Sequence, residues 1–312
     1  LFYNVFAGSQ KGHRREPQVK IGAFEVNAPI PELNEPIAFA VLRPWIDVNN
    51  VGTLVLNELE ARFEGNELAS FSKPGEFFDF TRYRPTIHLE EGIRRVTVPN
   101  VTVRYARRQG ESDFLLLHLL EPHARSEAYL DSIMKLLKAC KAKKYVLLGS
   151  MYDVVPHTRP LIVNGSAETR ARGELKRSGA LTSSYEGPTS IVVLVSQRAA
   201  AADIETLTFI VSLPQYVALE EDYLGKVRLM EVLNVLYDIP IDSRDFEKAL
   251  EQRALVNQRV ESTPELNALI PQLENMYEER VKSMGGESPK LTSEMEEILW
   301  KTMEGKEDVG KA

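Results

Sequence analysis

Residues 149–160 read GSMYDVVPHTRP and bring an acid (Asp153), an imidazole (His157), a hydroxyl (Thr158) and a guanidinium (Arg159) into one short stretch. Ser150 adds a second hydroxyl, and Pro156 and Pro160 restrict the backbone around these groups. Side chains of these types, held together, can fix an anion or an ordered water. The same residues also suit a structural loop that caps strand ends, because buried polar groups are nearly always paired. The stretch follows the apolar residues 145–148, which read as a strand, and ligands of open α/β sheets collect at strand carboxyl ends. Two more carboxylates, Asp47 and Glu121, each follow a strand-like run and are expected on the same edge. Arg159 is expected to pair bidentately with one of them, leaving His157 to face the cleft. If that pair is buried, losing Arg159 costs about 3 to 5 kcal/mol.

Other chemistry is sparse. The chain has no Walker loop, no GxGxxG after a strand, no GxSxG and no HExxH. Gly8 to Gly12 (GSQKG) has the composition of a phosphate loop, but no strand delivers it and no helix opens from it. His118, Glu121 and His123 lie close in sequence, yet strand alternation sends 118 and 121 to opposite faces, so no metal and no cofactor are expected. Cys140 sits on an apolar helical stripe and reads as a small core residue.

The elements that position these groups are legible from periodicity. Residues 37–42 (IAFAVL) and 114–120 (FLLLHLL) read as strands buried on both faces. Val51, Leu54, Val55 and Leu59 recur at helical spacing, with Asn49 or Asn50 as the expected cap. Ile133, Leu136, Leu137 and Cys140 define a second helix beginning at Ser126. Shorter strands are expected near 67–71, 86–89, 94–98 and 101–105, and apolar runs at 191–195 and 207–213 read as two more, flanking an alanine-rich helix at 199–202. Helical spacing returns at Leu229 and continues, with capping-box patterns at Ser262 to Glu265 and Ser293 to Glu296. The predicted fold is α/β, a mixed, mostly parallel sheet flanked by helices with a helical C-terminal extension. The expected divisions are an N-terminal arm (1–30), an α/β core (31–240) and a helical region (241–312).

Of the 312 residues 43% are hydrophobic and 27% charged, the balance of a globular chain that can bury a core. A single cysteine excludes an intramolecular disulfide and suits a cytoplasmic address. No run approaches the ~20 apolar residues that span a bilayer, and no secretory signal is legible at the start. The net charge of −7 argues against a general nucleic-acid binder. From Asp242 onward 16 acidic residues face 10 basic ones, so the acidity is concentrated in the last part of the chain.

Several stretches in order resemble one family. DVVPHTRP (153–160) resembles the VPHTRP signature of bacterial members of the proteasome assembly chaperone family, the group named after the second eukaryotic proteasome assembly chaperone. Residues 36–42 followed by Trp45 and Asp47 resemble its first strand and GW-x-DAG turn, and EFFDFTRYRP (76–85) its EFYDF…RP. Glu121-Pro122 matches its G-x-EP, YEGPTS (185–190) its Y-x-GPT, and LPQYV (213–217) its VPHYV. The chain departs from the pattern at Pro44, Val48-Asn49, Leu120 and Gln215, the last standing where a histidine is usual. The resemblance covers roughly residues 31–281. It implies a sheet like that of the nucleoside phosphorylases and hydrolases and a homo-oligomer, with a trimer as the expected size, but no characterised catalytic set. The motifs add Tyr185 and Gly187 to the candidate binding residues Asp47, Glu121, Ser150, Asp153, His157, Thr158 and Arg159.

Two functions follow as expectations. The first is a non-enzymatic, assembly-chaperone-like protein whose core supplies oligomer contacts and whose acidic helical tail meets a protein partner. The second is a binder or hydrolase/phosphorylase-like enzyme for nucleoside-like or phosphate-bearing small molecules. A polar cleft in which Asp47, Glu121, His157 and Arg159 converge would mark the enzyme; a closed, fully bonded set would mark the scaffold.

Overall fold

The computed structural model describes residues 17–283 apart from Glu91 and Ser184. In chain order the strands are β1 (Gln18–Ile21), β2 (Phe24–Asn27), β3 (Ile37–Arg43), β4 (Asn66–Phe71), β5 (Thr86–Glu90), β6 (Ile93–Thr97), β7 (Thr102–Ala106), β8 (Phe114–Leu120), β9 (Lys144–Asp153), β10 (Val163–Ala167), β11 (Leu181–Thr182) and β12 (Glu205–Pro214). The helices are α1 (Val51–Arg62), α2 (Ser126–Ala139), α3 (Arg172–Arg177), α4 (Ile191–Ala201), α5 (Tyr223–Tyr237), α6 (Ser243–Glu261) and α7 (Pro264–Ser283).

Ten strands form one sheet in the order β1-β2-β4-β7-β8-β3-β9-β12-β10-β11. Its centre, β8-β3-β9-β12, is parallel, and these are the strands whose continuous apolar runs need cover on both faces. Strand alternation divides the core. Ala38, Ala40 and Leu42 of β3 pack in one cluster with α2 and α4, whereas Ile37, Phe39 and Val41 pack in the other with α1 and α5. The result is three layers, helix on sheet on helix.

The expectation of a mostly parallel sheet is corrected: five of the nine pairings are antiparallel and four are parallel. The β1-β2-β4-β7-β8 half runs antiparallel throughout, its β1-β2 and β7-β8 neighbours being joined by connections too short for a parallel crossover, and β10 also lies antiparallel to β12. The arm expected over 1–30 also changes. Residues 18–27 form β1 and β2 on the sheet edge, and the Ala23 amide donates to Ser132 Oγ of α2 at 3.0 Å.

The run 191–195, expected as a strand, is the first part of α4. A short apolar run has no decisive period, and here the Ala-rich continuation favours helix while Ile191, Val192, Val195 and Ala199 share the buried side. The α1 cap differs too. Asn49 accepts from the Tyr152 hydroxyl (3.0 Å) and Asn50 donates to the Glu220 carbonyl (2.9 Å), so the capping group is Asp47. The capping-box serine Ser262 instead donates to the Arg259 carbonyl at the end of α6, and the pattern at Ser293 lies outside the described residues, as does the Gly8 to Gly12 stretch.

Among the described residues no helix is long and apolar enough to cross a membrane. Cys140 is buried, and burial pushes its thiol up to about 11, which leaves it protonated and inert at neutral pH.

Candidate functional site

The candidate residues resolve into three groups. The first lies where β9 passes beneath the turn after β3. A Cβ on Gly149 would stand 2.3 Å from the Ile46 carbonyl oxygen, so only glycine allows this approach. The Ser150 amide then donates to that oxygen (2.9 Å), and its hydroxyl donates to the Val48 carbonyl (2.6 Å). Asp47, buried beside Ser150, accepts from the amides of Gly52 (2.7 Å) and Thr53 (3.2 Å) and from the Thr53 hydroxyl (2.5 Å). Burial raises its pKa, against the lowering effect of those bonds. This carboxylate closes the first turn of α1, with three hydrogen bonds to that helix.

The second group lies at the end of β8. The Glu121 carboxylate accepts from the Ile191 amide at 3.1 and 3.3 Å, capping α4, and burial raises its pKa. Tyr83, from the EFFDFTRYRP stretch, donates its hydroxyl to the Glu121 carbonyl (3.2 Å) and packs on the His123 ring at 4.6 Å. Tyr185 is exposed and donates its hydroxyl to the Pro188 carbonyl (2.9 Å), folding its loop over Gly187. His118 Nε2 bonds Glu60 at 2.7 Å, and His123 Nδ1 accepts from the Asp79 amide. No metal-holding group of three or more His, Cys, Asp or Glu exists among the described residues.

The third group is the loop 153–160, and α7 closes over it. Asp153 accepts from its neighbour's amide (Val154, 2.7 Å), from Ser212 Oγ (2.7 Å) and from Arg280 Nη1 (2.7 Å). Burial pushes its pKa up, but these three bonds outweigh it and the net shift is downward. Thr158 Oγ1 donates to Glu274 Oε1 (2.5 Å), Arg159 reaches Glu274 (2.8 Å) and Glu278 (3.2 Å), and the Tyr277 hydroxyl donates to the Pro160 carbonyl (3.0 Å). His157 is buried. Its amide and its Nδ1 both meet the Tyr216 hydroxyl, at 2.7 and 2.8 Å.

The expected partners of Arg159, Glu121 and Asp47, are therefore replaced by two glutamates of α7. Both expected carboxylates cap helices, which occupies them before a guanidinium can. The Arg159 pair is also not deeply buried, its side chain being 34% exposed and that of Glu274 25%. Arg159→Ala is accordingly expected to cost only about 1 kcal/mol, read as a lowered denaturant midpoint at unchanged slope; a loss above about 3 kcal/mol would show that the pair behaves as a buried one.

Glu121, Tyr185 and Gly187 make no hydrogen bond or ion pair to the loop 153–160 among the described residues. Residues missed from sequence complete the third group: Ser212 and Tyr216 on and after β12, Arg253 on α6, and Glu274, Tyr277, Glu278 and Arg280 on α7. A signal existed for the last set, since Glu274, Tyr277, Glu278 and Val281 share a helical face that mixes carboxylates with apolar groups.

Known proteins fit this geometry. A family model described as the PAC2 family matches residues 41–260, which takes in the end of β3, strands β4 to β12 and the loop 153–160. No curated protein matches the chain in sequence. Among solved structures, a PAC2 family protein from Streptomyces avermitilis is similar at 23% identity and TM-score 0.68, covering 76% of this chain and 99% of its own. A Mycobacterium tuberculosis protein of unknown function is similar at 22% identity and TM-score 0.74, with coverage of 88% and 94%. A proteasome-assembly chaperone homologue from the same organism is similar at 22% identity and TM-score 0.67, with coverage of 75% and 99%. With the family model spanning most of the sheet and both of its helical layers, the chain belongs to the PAC2 family.

Proposed function

We propose that this protein is a non-enzymatic, homo-oligomeric interaction protein of the assembly-chaperone kind, in which the α/β core of 31–240, extended at its edge by β1 and β2, supplies oligomer contacts and α6 and α7 form a helical region that meets a protein partner. The observation that carries this reading is the β5–β6 hairpin. It stands apart from the main sheet, with Ile87 65%, Leu89 71%, Ile93 62% and Val96 61% exposed. A lone two-stranded hairpin is marginal in water, and an apolar patch of this kind marks an interaction site.

The register pairs Ile87 with Val96 and Leu89 with Arg94, so one face carries three apolar side chains and a cation. The occupant we assign is the outer stripe of α7 in a second copy. There Leu269 and Met276 are exposed between Glu265 and Glu279, carboxylates that form no ion pair among the described residues. We take the contact as head-to-tail, the hairpin of one copy on the stripe of the next, and assign it a closed ring of three copies. The similar fold of a proteasome-assembly chaperone homologue supports the role, and the buried, reduced Cys140 suits the cytoplasm. The lack of convergence among Asp47, Glu121, His157 and Arg159 supports scaffolding over catalysis.

Light scattering at micromolar concentration should give about three times 35.2 kDa, and the Ile87→Glu, Leu89→Glu double variant should give the mass of one chain while keeping the far-ultraviolet circular dichroism of a folded chain. A parent at one chain's mass ends this reading. The second function, a small-molecule binder, is favoured by one observation only, a cleft beside His157.

A further inference from the structure

Behind the loop 153–160 lies a half-open cleft whose water-accessible interior is about 30 Å³. Leu161, Val217, Leu219 and Val256 supply apolar walls, and His157, Asp222, Gln252 and Arg253 are its polar lining. Two of these four are already occupied. Asp222 accepts from the Gly225 amide (2.7 Å) to cap α5, while Gln252 accepts from the Tyr223 amide (2.9 Å) and donates to the Glu221 carbonyl (2.6 Å).

Arg253 is different. Its one hydrogen bond among the described residues is a long one, Nη2 to the Thr158 carbonyl at 3.4 Å, and no described carboxylate lies within ion-pair distance. A guanidinium presents five donors in a planar fork, so most of its capacity is unspent, at a position where burial depresses its pKa. The neighbouring His157 is held by Tyr216 from the segment after β12. It is surrounded by Arg253, Asn257 and Glu261 of α6 and Glu274 of α7, and burial, followed by the Arg253 charge, lowers its pKa.

We propose that this cleft binds a small aliphatic carboxylate, with the Arg253 guanidinium holding the carboxylate and the apolar walls holding the alkyl group. A single planar cation matches a carboxylate bidentately. A phosphate dianion would leave charge uncompensated against the aliphatic walls, which is costly. The chemistry is shared by a free branched short-chain acid and by the C-terminal residue of a peptide ending in an aliphatic side chain. The site is independent of the hairpin and of assembly.

The test uses the full chain and the His157 ring resonances, assigned by their loss in His157→Gln. Titration with 3-methylbutyrate should give a saturable shift and raise the His157 midpoint, because the bound anion offsets the Arg253 charge; 3-methylbutyramide should do neither. Arg253→Gln should weaken binding by at least about tenfold. Val256→Trp, which fills the cleft and leaves Arg253 in place, should abolish it and decides the matter if Arg253→Gln does not fold. N-acetyl-Gly-Leu binding more tightly than 3-methylbutyrate identifies a peptide terminus, and weaker binding identifies a free acid. Equal responses to acid and amide, a response unchanged in either variant, or equal binding of inorganic phosphate overturns the proposal.

Discussion

Replacing Tyr277 with alanine should destabilise the protein by about 3 to 5 kcal/mol, the range for deleting a buried aromatic ring. The ring is 3% exposed in a small cluster with Val155, Ile162, Leu181 and Val281, separate from the two main clusters of the core. Its hydroxyl also satisfies the Pro160 carbonyl. In the second half of α7 the smaller Val281 is the other buried apolar residue, and Met276 is exposed. The loss should therefore appear locally, as faster hydrogen exchange along α7 and within 153–160 before any change in the central strands. Tyr277→Phe keeps the ring and forfeits one hydrogen bond, so it should cost about 1 kcal/mol. Unchanged exchange along α7 in Tyr277→Ala would show that the ion pairs, not the ring, hold the helix.

Lys226→Met is expected to cost a similar 3 to 5 kcal/mol, roughly the penalty for leaving a buried charge unpaired. Lys226 is 5% exposed on α5, and its ammonium lies 2.6 Å from Asp245 and 3.6 Å from Glu58. Asp245 is equally buried at the start of α6, so the lysine joins α1, α5 and α6 at one point. Methionine keeps the aliphatic stem and removes only the charge. Adding Asp245→Leu to Lys226→Met should recover most of the loss, because the orphaned carboxylate is then gone. Denaturant unfolding of both single variants and the double variant reads the coupling. Additive losses would show that the two groups do not act as a pair.

Much of the fold was written in local pattern. The double-sided apolar runs at 37–42 and 114–120 are central strands as read, and the i, i+3, i+4, i+7 spacing at Ile133 is a helix as read. The run at 191–195 failed because five apolar residues carry no period. What decided it was the alanine-rich continuation and the Glu121 carboxylate, 70 positions away in sequence, accepting the Ile191 amide. Sheet direction was equally hidden, since a strand's composition does not record the direction of its neighbour.

The candidate site divides in the same way. The sequence by itself pointed to 153–160 as an ordered polar loop at a strand's carboxyl edge, because proline restriction and a preceding apolar run are local properties, but it ended that strand at 148, whereas 149–153 continue β9 beside β12. It could not say which carboxylate Arg159 meets. Asp47 and Glu121 satisfied every local criterion, yet each lies beside unpaired amides at a helix start, and those amides claim it. The partners that remained, Glu274 and Glu278, reach the loop only because Tyr277 and Val281 bury the same face of α7 against Val155 and Ile162. Arg253 became a site residue in the same manner, through the packing of α6 beside His157 with no described carboxylate within ion-pair distance of it. Partner choice is a competition among groups distant in sequence, and only the tertiary structure holds that competition.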